Sequence, residues 1–202
     1  MDDRNIQLSF GDSFVSASQS VRVLGVNVDA NLTWESHITT IIQRCNMIII
    51  SIGRMRNRIP RCTRNLLIEA LVLPHIRYCA TVWGGCNKTQ KNRLQKVLNF
   101  AVRIVVGLRK FDHITESRSQ FKWGKIEDII GTQDNAMIKR TLTNPNASEY
   151  LREKLLSRAD VCSRTTRATA GGQLQLPRVR TEFAKRSFLY RATAAWNQRI
   201  SL

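Results

Sequence analysis

Acidic residues are scarce in this chain. Its 202 residues include 15 Asp and Glu against 32 Lys and Arg, so the formal net charge is +17 at pH 7. Solubility requires far less charge than this, and such a surplus predicts an anionic partner, most often nucleic acid. Long apolar runs are also lacking, which argues against a membrane partner. With 43% hydrophobic residues, the chain still has enough apolar content for a folded core.

The shortage of acids is concentrated in two regions. Residues 1–42 carry five acidic and two basic residues, and residues 111–150 carry six acidic and five basic residues. In contrast, residues 43–110 carry fourteen basic residues and one acid, Glu69, while residues 151–202 carry eleven basic and three acidic residues. General surface basicity is a poor explanation for one acid among fourteen cations, so this pattern favours dedicated binding surfaces.

The usual signatures of metal binding and catalysis are missing. No Cys-x-x-Cys pair occurs, and the three histidines do not cluster near the cysteines, which argues against a zinc site. Most of the five cysteines are predicted core residues; they are Cys45, Cys62, Cys79, Cys86 and Cys162. The chain has no phosphate-binding loop and no nucleophile elbow. Glu127 and Asp128 are adjacent on a predicted helix, where neighbouring side chains point apart. We therefore expect no catalytic residue, no metal site and no cofactor in this chain.

The N-terminus lacks the pattern of a secretory signal. Met1 is followed by Asp2 and Asp3 instead of a basic and then an apolar run. We expect a reducing compartment, nuclear or cytoplasmic, in which the cysteines remain thiols.

Alternating patterns predict β-structure near the N-terminus. IQLSFGDSFVSA has two short runs around Gly11-Asp12, which is typical of a hairpin. SVRVLGVNVD, residues 20–29, is apolar on both faces from Leu24 to Val28, which predicts a strand covered on both sides. Too little sequence precedes this strand to cover it, so we expect it to be the edge of a larger sheet.

Helical spacing dominates the rest of the chain. Thr33 fits a helix N-cap, with Glu35 in the first turn, and an apolar stripe runs from Trp34 to Met55 before Pro60 ends the helix. Further helices are predicted from Thr63 to Leu71, with Pro74 as a kink or break, and from Lys88 to about Leu108. One or two shorter helices are predicted around Trp123–Ile130 and Ala136–Leu142. A loop or short extended segment is predicted at Arg164–Thr181, followed by a final helix from Glu182. The predicted fold class is mainly α, with a short N-terminal β-hairpin and strand.

Three groups of basic residues are candidate nucleic-acid contacts, because Lys and Arg neutralise phosphates and give salt-sensitive, sequence-independent affinity. The first group surrounds a helix end and consists of Arg54, Arg56, Arg58, Arg61 and Arg64. The second lines one helix and consists of Lys88, Lys91, Arg93, Lys96 and Arg103. The third consists of Arg178, Arg180, Lys185, Arg186 and Arg191, interleaved with Phe183, Phe188, Tyr190 and Trp196. These aromatic rings either stack on bases or pack in the core, and their helical spacing favours packing.

Four ordered blocks resemble the C-terminal part of non-LTR (LINE-type, jockey and CR1-like) retrotransposon reverse transcriptases. VRVLGVNVDANLTWESHI, residues 21–38, resembles the segment that leaves the palm and enters the thumb. ALVLPHIRYCATVWGG (70–85) and LQKVLNFAVRIVVGL (94–108) are similar to two following segments, and LPRVRTEFAKRSFLYRATAAWN (176–197) is similar to the C-terminal signature. Together the blocks span residues 21–197.

The resemblance implies a division of the chain into three parts. Residues 1–30 would be a remnant of the palm edge, residues 31–110 a thumb-like helical region, and residues 111–202 the post-polymerase region. Leu24 and Gly25 would contact the primer side, the basic helices would hold an RNA, DNA or RNA–DNA duplex, and the missing palm or an intact polymerase copy would be a protein partner.

The chain departs from the family in its catalytic motifs. The upstream aspartate motif and the Tyr-x-Asp-Asp turn are absent, and those carboxylates hold the Mg²⁺ ions of the parent enzyme. The resemblance thus implies a fragment of an RNA-directed DNA polymerase that is inactive alone. Two alternatives stay open: a standalone nucleic-acid-binding protein derived from such an element, and a non-functional relic whose exposed strand makes it aggregate.

Overall fold

The chain is mainly helical, with two antiparallel hairpins before the helices, and this confirms the predicted fold class. The computed structural model describes residues 7–11, 13–16, 18–161 and 172–200. Cys162 and the first part of the predicted loop, residues 164–171, lie outside the described residues. The second part of that loop, from Gly172 to Thr181, is irregular, apart from one bridge between Leu174 and Ser157.

The first hairpin was predicted correctly. Strand β1 (Gln7–Phe10) pairs with β2 (Ser13–Ser16), with Phe10 opposite Ser13. The turn is therefore at positions 11 and 12, of which Asp12 lies outside the described residues. Gly11 has a φ of 60°, a conformation that glycine adopts readily.

The second stretch of β-structure is a hairpin, so the prediction of one covered strand was wrong. Strand β3 (Ser20–Val23) pairs with β4 (Val26–Asp29). Leu24 and Gly25 form the two-residue turn, with φ values of 47° and 83°, as in a type I′ turn. All four β3 residues are exposed, because the chain folds back at the turn and it is β4 that meets the core, through the buried Val26 and the half-buried Val28.

Helix α1 (Glu35–Arg54) begins at a site fixed by Asp29. The Asp29 carboxylate accepts hydrogen bonds from the backbone N–H of Thr33 and of Trp34 and from the Thr33 hydroxyl, each at 2.8 Å. The N-cap is Trp34, in a left-handed conformation with no side-chain cap, so the prediction of Thr33 as N-cap was wrong. The Thr33 hydroxyl donates to Asp29 instead, and the Trp34 side chain is buried in the core.

Pro74 does not end the second helical region. Helix α2 (Arg61–Leu67) continues as a π-helical segment (Ile68–Val72) into α3 (Leu73–Arg77). The Leu73 N–H donates to the carbonyl of Ile68, five residues earlier. This wider turn accommodates a proline that has no N–H to give and whose ring would crowd a normal α-helical turn.

The third long helix matches its prediction. After the short helix α4 (Ala80–Trp83), α5 spans Lys88–Val106. The Asn87 side chain accepts the N–H of Gln90 at 2.9 Å and caps the start, whereas Gly107, with a φ of 88°, ends the helix.

The C-terminal half contains one long helix where one or two shorter helices were predicted. After α6 (Thr115–Ser119), α7 runs unbroken from Ile126 to Thr143. Its polar middle stays helical because Asp134 is buried against Arg191. Four further helices follow within residues 144–161 and 172–200, and the last two replace the single final helix that was predicted. They are α8 (Glu149–Lys154), α9 (Arg158–Val161), α10 (Glu182–Lys185) and α11 (Phe188–Ile200).

Two groups of buried apolar residues hold these helices together. The larger group comes mainly from α1, the π-helical segment, α3 to α5 and the start of α7, and includes Trp34, Trp83 and Ile126. The smaller group joins Ile138 of α7 to Leu155, Leu174 and Ala192. Helix α7 thus belongs to both cores. The proposed boundary near residue 110 stays a prediction.

The cysteines follow the core prediction in part. Cys45 and Cys86 are buried, whereas Cys79 is half-buried and Cys62 is exposed. Burial raises the pKa of the Cys45 thiol to about 12, as expected of a small core residue rather than a reactive thiol.

We expect Asp29→Asn to lower the free energy of unfolding by about 1 kcal/mol, because an amide cannot accept all three hydrogen bonds. Burial alone would raise the pKa of Asp29, but the bonds from Thr33 and Trp34 outweigh it, so the pKa is held below its usual value. The stabilisation should therefore be present above the unfolded-state pKa of about 3.9 and disappear as the pH falls through the folded-state pKa.

Urea unfolding at pH 7 and at pH 3 measures this effect. Glu153→Gln is the matched control, because Glu153 is an exposed carboxylate without a partner among the described residues. It should leave the free energy of unfolding unchanged at both pH values. A loss for Asp29→Asn that is as large at pH 3 as at pH 7 would contradict the role of the ionised carboxylate.

Candidate nucleic-acid interface

The first predicted basic group collects where α1 ends, α2 begins and α5 ends. Helices α1 and α5 pack closely here, because a Cβ atom on Gly53 of α1 would lie only 3.0 Å from Cδ1 of Ile104 on α5. Arg64 of α2 donates to the Ile104 carbonyl at 2.9 Å. Arg54, Arg56, Arg58 and Arg61 are all exposed here, and we call these four residues the arginine end.

The arginines of this region do different things. Within the described part of the chain, the guanidinium groups of Arg54, Arg56 and Arg58 have no ion pair or hydrogen bond. Arg61 donates to the Gln120 side chain at 2.7 Å and lies 6.0 Å from the centre of the Phe121 ring. The three unpartnered side chains can reach an external anion at no cost to the fold.

Arg64 and Arg103 support this surface from inside. Both side chains are half-buried. Arg64 donates to a carbonyl of α5, and Arg103 donates to the Asp112 carbonyl at 3.4 Å. Their Nε atoms are buried without a partner among the described residues. Neither side chain is as available to a ligand as its charge suggests.

The remaining cations of the second group follow α5 back along the bundle. Lys88 and Lys96 are exposed and Lys91 is half-buried. Arg93 donates to Thr39 at 3.0 Å and to Gln90 at 2.8 Å, and it lies 3.8 Å from the Glu35 carboxylate. These contacts near the start of α1, and the Gly53–Ile104 contact near its end, show that α1 and α5 run side by side in the same direction.

The second hairpin packs beside the first half of α1, near His37, Ile41 and Arg44, and we call Arg22, Leu24, Gly25 and Tyr78 the hairpin end. The Leu24 side chain is 86% exposed. The Tyr78 hydroxyl donates to the Leu24 carbonyl at 2.6 Å, which ties the turn to the helical bundle. The resemblance implies this primer-side position for Leu24 and Gly25, and the structure gives them an exposed, well-supported turn.

Sequence reasoning missed the basic residues around this turn. Arg22, Arg44 and His75 line a cavity of about 270 Å³ together with Leu24 and Tyr78. They are far apart in the chain and form no run that composition would show. Only the packing of the hairpin against α1 and α3 brings them together.

His37 lies in the wall of the same cavity. Its Nδ1 accepts the Asn27 N–H at 3.5 Å, whereas its Nε2 is buried without a partner among the described residues. Burial lowers the pKa of His37, and the charge of Arg44 lowers it further. The ring is therefore held neutral by its surroundings and acts as a packing residue that orients β4.

The third basic group divides into exposed side chains and one internal clamp. Arg178 and Arg180 are exposed just before α10. Lys185 lies 2.6 Å from the Glu182 carboxylate, which raises the pKa of Lys185 and lowers that of Glu182. Arg186 lies 5.6 Å from the centre of the Phe183 ring.

Arg191 is the internal clamp. Its Nε and Nη2 donate to the two carboxylate oxygens of Asp134, at 2.7 and 3.0 Å. Nη2 also donates to the Thr81 carbonyl, and Nη1 to the Arg186 carbonyl, both at 3.0 Å. The Asp134 side chain is only 1% exposed, and burial raises its pKa although Arg191 acts in the opposite direction. The predicted nucleic-acid contact of Arg191 stays a prediction, and its guanidinium already donates to four oxygen atoms of the protein.

The aromatic residues of this group also divide. Phe188 and Trp196 pack against the smaller core, as the helical spacing predicted. Phe183 does not, because its side chain is 58% exposed.

Comparisons with protein-family models, with curated protein sequences and with solved structures find no match for this chain. The resemblance of its four sequence blocks to non-LTR reverse transcriptases therefore stays a prediction. None of the helices in the described ranges has both the length and the hydropathy required to cross a bilayer. Within the same ranges, no three His, Cys, Asp or Glu side chains come together as a metal-binding group.

We expect Arg191→Met to lower the free energy of unfolding by about 3 kcal/mol, because it leaves the buried Asp134 carboxylate without its counter-charge. The double variant Arg191→Met/Asp134→Leu should recover most of that loss, since it removes both buried charges. Chemical denaturation of the three proteins measures the difference.

Arg199→Met is the matched control, because Arg199 is an exposed cation on the same helix. It should leave the free energy of unfolding nearly unchanged. Equal losses for Arg191→Met and Arg199→Met would show that the clamp does not stabilise the fold.

Proposed function

We propose that this chain is the thumb and C-terminal part of a non-LTR reverse transcriptase and that it binds a template–primer duplex without catalysing synthesis. The observation that carries the proposal is the placement of its exposed cations. The arginine end lies at the C-terminal end of α1, the hairpin end lies beside its first half, and the exposed Lys88 and Lys96 lie on the neighbouring α5.

The spacing of the two ends suits a duplex. Arg44, which lines the hairpin cavity, precedes Arg54 by ten residues on α1, so at 1.5 Å per residue the two ends lie about 15 Å apart along the helix. This span is shorter than one turn of a duplex, which is about 34 Å. One turn of a duplex lying along α1 would therefore present phosphates to both ends.

The hairpin supports the same proposal. The Val21 and Val23 side chains are 54% and 50% exposed, which is unusual for two valines on one short strand. Such an edge suits a missing neighbour, and the palm of the parent polymerase is the neighbour that the resemblance implies. The Leu24–Gly25 turn would then lie between the palm and the thumb.

A standalone nucleic-acid-binding protein is the second candidate. The larger core, from Val26 to Ile130, involves α1 to α5 and the start of α7. A core built from so much of the chain supports a protein that folds without the palm. Such a protein would bind the same backbone chemistry through the same cations.

We expect binding to a duplex to be strongly salt-dependent and nearly independent of sequence. The double variant Arg56→Glu/Arg58→Glu should weaken binding and reduce the slope of log affinity against log salt by about 1 for each phosphate that the variant no longer neutralises. Fluorescence anisotropy with an RNA–DNA hybrid, over a series of salt concentrations, measures both quantities.

Lys122→Glu/Lys125→Glu is the matched control, because it also reverses two exposed cations. It makes the same change in net charge in the nearly neutral region. If both double variants reduce the affinity and the slope equally, the charge acts only in bulk and the arginine end is not a binding surface.

We also expect no DNA synthesis by this chain in a primer-extension assay with Mg²⁺. The sequence lacks the aspartate motif and the Tyr-x-Asp-Asp turn with which the parent enzymes hold two metal ions. Extension by the purified chain, free of contaminating polymerase, would overturn the non-catalytic assignment.

A further inference from the structure

A small groove lies between the turn before α1 and the start of α11. Its volume is about 160 Å³, and its walls include Leu32, Trp34, Val82, Phe183, Arg186 and Phe188. Leu32, Val82 and Phe183 are 43%, 51% and 58% exposed, respectively. We call this the aromatic groove. It brings together two sequence blocks that are about 150 positions apart.

The walls of the aromatic groove are fixed by close backbone packing. A Cβ atom on Gly85 would lie 2.6 Å from the Arg186 carbonyl oxygen, so only glycine permits this approach. The Arg191 clamp donates to the carbonyls of Thr81 and Arg186, on either side of the groove. The groove is therefore a built feature of the fold.

The charge around the groove determines which ligand fits. On the α11 side of the groove, Glu182 is the sole acidic residue among residues 172–200, and it lies 2.6 Å from Lys185. On the other side, Asp29 is bound to Thr33 and Trp34, and Glu35 lies 3.8 Å from Arg93. Arg186 lies at the rim, 5.6 Å from the Phe183 ring, and Arg178 and Arg180 are exposed nearby in the chain. An apolar peptide would gain nothing from these cations, whereas a nucleotide has both a flat base and an anionic phosphate.

We propose that the aromatic groove takes an unpaired nucleobase of a single-stranded segment adjoining the bound duplex. Phe183 stacks on the base, and Arg186 contacts the flanking phosphate. Aromatic stacking suits any base, because every base has a π-face. This inference rests on the proposed binding of nucleic acid and adds a preference for a duplex with a single-stranded overhang.

The test uses the full chain and a hybrid duplex with or without a short single-stranded overhang that contains 2-aminopurine. We expect Phe183→Ala to weaken binding of the overhang substrate about tenfold and to abolish the change in 2-aminopurine fluorescence. Phe183→Leu should behave like Phe183→Ala, whereas Phe183→Tyr should retain both signals. Binding of the blunt duplex should be the same for all four proteins.

Phe111→Ala is the matched control. Phe111 is 88% exposed, and Lys110 lies 5.4 Å from its ring centre, so it repeats the aromatic–cation pair outside the groove. Equal losses for Phe183→Ala and Phe111→Ala, or an unchanged 2-aminopurine signal in Phe183→Ala, would overturn the base-binding groove. Retention of binding by Phe183→Leu would show that the ligand needs an apolar surface and not a stacking ring. That result would also overturn the base-binding groove.

The two proposals fail in different ways. A blunt duplex that binds with normal salt dependence, together with an overhang that Phe183→Ala does not affect, leaves the proposed function intact and removes the groove. Weak, salt-independent binding of the blunt duplex removes the proposed function and, with it, this inference.

Discussion

The Arg191–Asp134 ion pair connects more of this protein than any other pair of side chains in its described part. Asp134 lies in the middle of α7, which contributes to both apolar cores. Arg191 then reaches the carbonyls of Thr81 in α4 and of Arg186 before α11. A buried ion pair contributes little net stability compared with apolar packing. Its effect here is geometric, because four acceptor atoms on three segments all bind one planar group and so fix the position of α11 against the bundle.

The start of α1 is a second fixed point, and it determines what the hairpin presents. Leu24, Leu32 and Trp34 all have positive φ values, from 47° to 64°, and each such residue costs about 1–3 kcal/mol of backbone strain. The Asp29 carboxylate, the burial of Trp34 and the Tyr78 hydroxyl hold this segment in place. Contacts on both sides therefore hold the turn that presents the exposed Leu24 side chain. A turn held in this way suits a contact that needs a fixed position.

Local patterns predicted the elements whose causes are local. The α5 boundaries follow from a capping Asn87 and a terminating Gly107, and the first hairpin follows from Gly11 between alternating runs. The errors arose where contacts from outside the element decide. The N-cap of α1 is Trp34 and not Thr33, because the Asp29 carboxylate at the end of β4 binds the backbone N–H of both residues. The turn at Leu24 and Gly25 is bound by Tyr78, 54 positions after Leu24. The cavity of Arg22, Arg44 and His75 has no local signal at all.

The same separation of local and distant causes applies to charge. The sequence does not distinguish one Lys or Arg from another as a binding residue. In the fold, however, Arg64, Arg93 and Arg191 donate to protein oxygens. Solvent and salt screen such half-buried contacts less than they screen exposed charges. Salt should therefore act mainly on the exposed cations, and Arg64, Arg93 and Arg191 should add little to the number of phosphates that the proposed function would neutralise. Part of the positive charge that predicted a nucleic-acid partner therefore holds the helices together, and only the exposed part is free to meet an external anion.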